Sequence, residues 1–105
     1  MTNLEIPQPI NNIFTMYSIS NCIYCEKMTE LFISNNLEYN KIDCDEFVRN
    51  GDEELREDFL NFIRKNAGKE YKTFPMIFFG NQFIGGYNET NEYIKCKMLK
   101  FDEDF

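Results

Sequence analysis

The chain has 105 residues, of which 43% are apolar, and a formal net charge of −7 from 18 acidic and 11 basic residues. A chain of this length and apolar content can bury one hydrophobic core without disulfides or a metal ion, so we expect a single domain. The acidic balance and the absence of a dense lysine and arginine stripe argue against nucleic acid as a partner, because binding to the phosphate backbone requires clustered cations.

The composition also argues against a membrane or secreted protein. No apolar run approaches the roughly 20 residues of a membrane-spanning helix, and the start, MTNLEIPQPINN, lacks the basic and apolar regions of a signal peptide. We therefore expect a cytosolic protein with no membrane partner. Structural disulfides are rare in the reducing cytosol, so closely spaced cysteines there are more often catalytic or metal-binding.

The first half of the chain predicts two strands, each followed by a helix. Residues 1–10 form a polar extension to a domain that we place at 11–105, and the apolar run IFTMYS from Ile13 has the length of a buried strand. Helical spacing of apolar residues follows in CEKMTELFISNN, and EYNKIDCDEF predicts a strand running into a loop. The clearest helix is GDEELREDFLNFIRKNAG, with acids in its first turns, basic residues in its last and Gly68 as its stop.

The second half predicts a hairpin and a final helix. The runs Met76 to Phe79 and Gln82 to Ile84 are strand-like and are joined by the turn residues Gly80 and Asn81. Asn88 is the predicted N-cap of the last helix. The apolar stripe of that helix consists of Tyr93, Ile94, Met98 and Leu99, and an acidic tip follows it.

The predicted order of elements is therefore βαβαββα, an α/β fold. A strand–helix–strand start favours a parallel pair with a right-handed crossover, whereas the later hairpin adds antiparallel strands. We expect a mixed four-stranded sheet flanked by helices.

The pair Cys22 and Cys25, in SISNCIYCEKM, is the main candidate site. Cys22 lies in the loop after the first strand and Cys25 in the first turn of the first helix, so unpaired N–H groups and the positive end of the helix dipole favour a Cys22 thiolate. Thiolates are the reactive species, and this arrangement beside a βαβ pattern is typical of redox sites. We predict Cys22 as the exposed nucleophile and Cys25 as the resolving thiol, since their spacing lets a disulfide form and break easily.

A zinc site is the alternative interpretation, with Cys44 and Cys96 as the other ligands. The chain has no histidine, and these two cysteines are isolated rather than a second CxxC pair, which argues against zinc. We expect Cys44 and Cys96 to behave as small buried hydrophobic residues.

Three motifs together resemble those of a dithiol glutaredoxin of the thioredoxin superfamily. They are CIYC after a strand, TFP at Thr73 to Pro75 leading into MIFF, and GGYNE at Gly85 to Glu89. They occur in the family's order, and the resemblance covers about residues 11–100. Thioredoxins fit less well, since they usually carry a tryptophan before a Gly-Pro pair between the cysteines, and this chain has no tryptophan.

The resemblance implies a thioredoxin-like fold and a glutathione-dependent enzyme that reduces protein disulfides or glutathione mixed disulfides. Glutathione would be the cosubstrate, with no metal and no tightly bound cofactor, and NADPH would act only through a separate reductase. The implied partners are glutathione and disulfide-containing or glutathionylated proteins, and we expect a monomer. Small glutaredoxins of this kind occur in cells and in large DNA viruses.

The resemblance also implies a set of substrate-binding residues. Pro75 would follow a cis peptide bond opposite Cys22, which leaves the backbone of Phe74 exposed for pairing with a peptide. Asn88 and Glu89 would bind the γ-glutamyl end, through helix N–H groups and the carboxylate. The full set is Tyr24, Arg56, Thr73, Phe74, Pro75, Gly86, Tyr87, Asn88 and Glu89.

The chain departs from the family pattern beside the cysteines. Ile19 stands where glutaredoxins commonly have a lysine, and Ile23 replaces the usual proline of CPYC. The loss of the lysine removes a cation that would bind a glutathione carboxylate and favour the thiolate. Phe74 replaces the more usual valine before the proline, and its larger ring would narrow the groove in which the family binds glutathione.

Glutaredoxins also place a basic or amide residue on the second long helix, where it contacts glutathione, and this residue is harder to assign here. Arg56 matches by local pattern and Arg64 is a rival, while an ordinary solvated helix charge is the alternative for both. The inserted KEYK segment places Tyr71 or Lys72 at the groove edge.

Two other function classes remain open in the sequence. One is an iron–sulfur or zinc module, since some glutaredoxins hold a [2Fe–2S] cluster between two chains. The other is a non-catalytic interaction protein of the same fold. A thioredoxin-like protein reduced by a reductase instead of glutathione is a further enzymatic variant.

Overall fold

A computed structural model describes residues 5–98. The predicted order of strands and long helices is found, with one additional short helix, α2. The elements are β1 Phe14–Ser18, α1 Ile23–Ser34, β2 Tyr39–Asp43, α2 Asp45–Val48, α3 Glu53–Ala67, β3 Met76–Phe79, β4 Gln82–Gly85 and α4 Tyr87–Tyr93, followed by a π-helical segment, Ile94–Met98.

The strands form one mixed sheet in the order β2-β1-β3-β4. β1 pairs in parallel with β2 and antiparallel with β3, and β3 pairs antiparallel with β4. The predicted mixed four-stranded sheet is therefore confirmed. All of β1 is buried, because helices cover both faces of the sheet.

The sheet separates two apolar clusters. Successive side chains of β1 point to opposite faces, so Met16 packs with Met28 and Phe32 of α1, whereas Tyr17 packs with Phe59 of α3. This alternation fixes α1 on one face and α3 on the other. The loop after β1, which carries Cys22, consequently leads directly into α1.

The helix α2 lies where the sequence predicted a loop. It begins after Cys44, with the backbone N–H of Asp45 donating to the Asp43 carboxylate at 3.0 Å. Its Phe47 ring is buried and stacks on Phe59, with centroids 5.8 Å apart. A tertiary contact thus stabilises a helical turn whose four residues carry too weak a local pattern to predict it.

The last helix also differs from its prediction. Its N-cap is Gly86 rather than Asn88, because the Glu89 carboxylate accepts a hydrogen bond from the Gly86 N–H at 2.9 Å and caps the helix there. The α-helix ends at Tyr93, and the backbone continues as the π-helical segment. Leu99 and the acidic tip lie outside the described residues.

The two lone cysteines have opposite environments. Cys44 is fully buried, as predicted, but Cys96 is exposed, so the prediction of burial is wrong for Cys96. Ile94, which points into the core, explains the difference, since a residue two positions further along a helix points away from the same face.

The burial of Cys44 can be tested by its reactivity towards an alkylating reagent. Burial in the core raises the pKa of the Cys44 thiol to about 12, so the unreactive thiol form dominates at pH 8. We expect iodoacetamide at pH 8 to label Cys96 but not Cys44 in the folded, oxidised protein, and both in urea, as measured by peptide mass spectrometry. Labelling of Cys44 at the rate of Cys96 without urea would contradict its burial.

The described part of the N-terminal extension lies against the domain. The Tyr17 hydroxyl donates to the Pro7 carbonyl at 2.6 Å, and the Ile10 N–H donates to the Thr15 hydroxyl oxygen at 3.0 Å. Ile6 packs on the α3-side cluster. The boundary between extension and domain stays a prediction.

Two buried threonines give a matched test of stability. The Thr90 hydroxyl is buried without a partner among residues 5–98, whereas the equally buried Thr15 accepts the bond from Ile10. We expect Thr90→Val to raise the free energy of unfolding by about 1 kcal/mol and Thr15→Val to lower it by a similar amount, measured by urea denaturation. Equal destabilisation by both changes would show that Thr90 has a partner in solution.

Candidate active site

Cys22 caps the first helix. Its backbone is extended at the N-cap of α1, and its sulfur accepts a hydrogen bond from the Cys25 N–H at 3.1 Å. A serine or aspartate oxygen usually fills this position, so here a sulfur receives the unpaired N–H and the positive end of the helix dipole. Both interactions favour negative charge on Cys22.

The two cysteines of CIYC form a disulfide in the structure, with Cα atoms 5.2 Å apart. Cys25 is 2% exposed, whereas Cys22 is only half-buried. Cys22 is therefore the sulfur that an incoming disulfide can reach, and Cys25 lies behind it in the first turn of the helix.

The loop before Cys22 is attached to α2. The Ser20 N–H donates to the Asp45 carboxylate at 3.1 Å, and the Cys44 N–H donates to the Ser18 carbonyl at 2.8 Å. Hydrogen bonds from Ser20 lower the pKa of Asp45. Ile19, which stands where the family commonly has a lysine, packs half-buried against the core, so its apolar side chain serves packing.

The loop before β3 lies opposite Cys22. The Phe74–Pro75 peptide bond is cis, and the Phe74 carbonyl oxygen is 3.8 Å from the Cys22 sulfur. The Phe74 ring stacks on Phe59, with centroids 5.9 Å apart and an angle of 16° between the planes. The core thus accommodates the larger ring that replaces valine.

A groove of about 330 Å³ runs beside this loop. It contains all of the predicted substrate-binding residues except Arg56, and also Tyr71, which the sequence predicted at the groove edge with Lys72 as the alternative. The lining residues are Tyr24, Tyr71, Thr73, Phe74, Pro75, Gly86, Tyr87, Asn88 and Glu89. The structure thus brings these residues together, while their contacts with a substrate stay predictions.

The two arginines of α3 do not line this groove. The Arg56 Nε donates to the Val48 carbonyl at 3.5 Å, at the end of α2. Arg64 forms an ion pair with Glu70 at 2.9 Å. The geometry does not support the predicted substrate contact of Arg56, because α2, which the sequence did not predict, supplies another partner for its guanidinium.

Aromatic side chains and one acid dominate the groove. Tyr24 and Tyr87 lie with ring centroids 5.6 Å apart, and the Lys27 ammonium lies 5.2 Å from the Tyr24 ring centroid, on the rim. Glu89 is the charged residue of the lining, and its carboxylate already accepts the Gly86 N–H.

A metal centre finds no support in residues 5–98. No group of three or more histidine, cysteine, aspartate or glutamate side chains there is arranged to bind a metal ion. Cys44 is buried whereas Cys96 is exposed, so these two predicted alternatives for zinc ligands do not share one environment. Within the same residues, no helix has both the length and the apolar character needed to cross a bilayer.

Comparison with known proteins agrees with this geometry. The sequence model of the glutaredoxin family matches residues 14–84. Glutaredoxin 1 of Rickettsia conorii is 34% identical over 71 residues, which cover 68% of this chain and 61% of the relative. The chain spans between about half and three fifths of the curated relatives that it matches.

Solved structures show the same fold. Glutaredoxin 1 of Francisella tularensis, complexed with cacodylate, has a TM-score of 0.65 at 22% identity, with 83% of this chain and 95% of that chain covered. A buckwheat glutaredoxin–glutathione complex has a TM-score of 0.62 at 22% identity, with 84% and 74% covered. The family match, together with the CIYC disulfide at the start of α1, shows that this chain belongs to the glutaredoxin family.

Proposed function

We propose that the protein is a glutathione-dependent thiol–disulfide oxidoreductase, with Cys22 as nucleophile and Cys25 as resolving thiol. The observation that carries this proposal is the Cys22–Cys25 disulfide at a helix N-terminus, whose accessible sulfur lies beside the cis-proline groove. Membership of the glutaredoxin family and the buckwheat protein's complex with glutathione support it.

With a glutathione mixed disulfide as substrate, the reaction needs one cysteine. The Cys22 thiolate attacks the glutathione sulfur, the substrate S–S bond breaks, and the substrate thiol leaves. A second glutathione thiolate then attacks the mixed disulfide on Cys22, which releases oxidised glutathione and regenerates the Cys22 thiolate.

With a protein disulfide as substrate, the reaction needs both cysteines. Attack by Cys22 gives a mixed disulfide with the protein and releases one protein thiolate. Cys25 then attacks Cys22, which releases the second protein thiolate and forms the Cys22–Cys25 disulfide of this structure. Two glutathione molecules reduce that disulfide and leave as oxidised glutathione.

The groove supplies the binding surface for the glutathionyl group. The carbonyl of Phe74 lies beside the Cys22 sulfur, so an extended peptide paired with this backbone would place its own sulfur near Cys22. Gly86 is a buried residue of the groove lining, and the space that a side chain would fill there is occupied by the Tyr71 hydroxyl. A cytosolic location and a monomeric state belong to the same proposal.

The test is a coupled assay that varies only the reductant. We expect the wild-type protein to reduce a glutathione mixed disulfide with glutathione, glutathione reductase and NADPH, and to give no comparable rate with thioredoxin reductase and NADPH. The reverse result would identify a thioredoxin-like protein. Brown colour and visible absorbance after anaerobic purification, with no turnover, would favour the iron–sulfur alternative.

A further inference from the structure

Tyr71 links the two segments that border the groove, which are the loop before β3 and the start of α4. It lies in the loop between α3 and β3, where its ring meets Phe83 edge to face, with centroids 4.9 Å apart. Its hydroxyl lies over Gly86, so close that a Cβ at position 86 would be only 2.7 Å from the oxygen. The half-buried side chain of Tyr71 is thus part of the groove wall, where Phe83 contacts its ring and Gly86 leaves space for its hydroxyl.

The hydroxyl of Tyr71 is available to a ligand. Within residues 5–98, the Gly86 N–H and the Glu89 carboxylate of the groove are joined by a hydrogen bond, and no hydrogen bond involves the Tyr71 hydroxyl. A phenol can donate one hydrogen bond, and a bond to a carboxylate oxygen is about twice as strong as one between neutral groups.

The charges of the residues that line the groove favour such a neutral donor, and the Lys27 ammonium lies on the rim, over Tyr24. Glutathione carries two carboxylates, yet neither lysine nor arginine is among the lining residues, and Glu89 brings a negative charge. Arg56 and Arg64 are engaged elsewhere, and Ile19 packs against the core. The hydrogen-bond donors that the lining itself offers to a bound carboxylate therefore carry no charge.

We propose that Tyr71 is a substrate-positioning residue whose hydroxyl donates a hydrogen bond to a carboxylate oxygen of the bound glutathionyl group. This inference rests on the proposed function and adds a specificity determinant to it. The loop insertion KEYK supplies the residue, and Gly86 provides the space for its oxygen.

The experiment compares Tyr71→Phe with wild type in the coupled assay, because this change removes only the oxygen. We expect KM for a glutathione mixed disulfide to rise about 10-fold with kcat unchanged, as loss of one hydrogen bond to a charged group implies. With the diethyl ester of the glutathionyl group, which has no carboxylate, the two proteins should differ by less than about 2-fold.

Tyr39→Phe is the matched control, since Tyr39 lies on the edge strand β2, stacked on Phe32 and away from the groove. It should leave KM unchanged, and the alkylation rate of reduced Cys22 should be the same in all three proteins. An unchanged KM in Tyr71→Phe, an equal effect on the ester, or a slower alkylation of Cys22 would overturn the inference while the proposed function stands. A wild type without glutathione-dependent turnover would overturn both.

Discussion

Replacement of Cys22 by serine is expected to lower turnover of a glutathione mixed disulfide by more than about 10³-fold, because a serine hydroxyl at the N-cap cannot replace a thiolate nucleophile. Cys25→Ser should retain this activity, since the second glutathione resolves the mixed disulfide on Cys22. The same variant should lose reduction of protein disulfides, which depends on attack by the buried Cys25 sulfur. The measurement is the coupled assay with each substrate class in turn.

Cys96→Ser is the control for this pair, because Cys96 is an exposed cysteine outside the groove. It should behave as wild type with both substrates. Turnover by Cys22→Ser at the wild-type rate would refute the assignment of the nucleophile. Loss of mixed-disulfide turnover in Cys25→Ser would instead show that Cys25 is needed for more than resolution.

The second large effect is expected on stability. Phe59 is fully buried in α3 and contacts the rings of Tyr17, Phe47 and Phe74. Phe59→Ala should lower the free energy of unfolding by about 3 to 5 kcal/mol, since it combines lost burial with a cavity. The ring also supports Phe74 beside the cis-proline, so KM for the glutathione mixed disulfide should rise in any fraction that remains folded. Urea denaturation and the coupled assay measure the two effects.

Phe59→Leu separates the effect on stability from the effect on KM, because it keeps most of the apolar volume, and so should destabilise less than Phe59→Ala, but removes the ring that stacks on Phe74. Leu60→Ala on the same helix is a further control, as Leu60 is only half-buried and does not stack on Phe74. If Phe59→Ala were no more destabilising than Leu60→Ala, the central place of Phe59 in the core would be wrong.

The functional residues differ in how far local sequence signals reveal them. Cys22 and Cys25 follow a buried strand and begin a helix, so their spacing and position suffice to predict a redox pair. Tyr71 has no such signal beyond its place in an insertion before TFP, and its side chain enters the groove through contacts with Phe83 and Gly86, which follow it in the chain.

Arg56 is a residue for which the local pattern and the structure point in different directions. Its surroundings on α3 resemble those of a substrate contact, but the guanidinium lies against Val48. The short helix α2 that supplies this carbonyl depends on the burial of Phe47 against Phe59, a contact between residues twelve positions apart along the chain. A pattern within one helix cannot report such a partner.

By itself, the sequence determined the order of strands and long helices, the burial of β1 and the position of the cysteine pair, because these follow from apolar periodicity, turn residues and spacing. Only the tertiary structure decided where α2 forms, that Gly86 rather than Asn88 caps the last helix and that Cys96 is exposed. It also decided between Tyr71 and Lys72 as the residue at the groove edge, and it left Arg56 outside the lining. The position of α2 and the lining of the groove depend on contacts between separate segments, which no local pattern reports. The Gly86 cap and the exposure of Cys96 are local, but they depend on the register of the last helix, which the pattern of apolar residues did not determine.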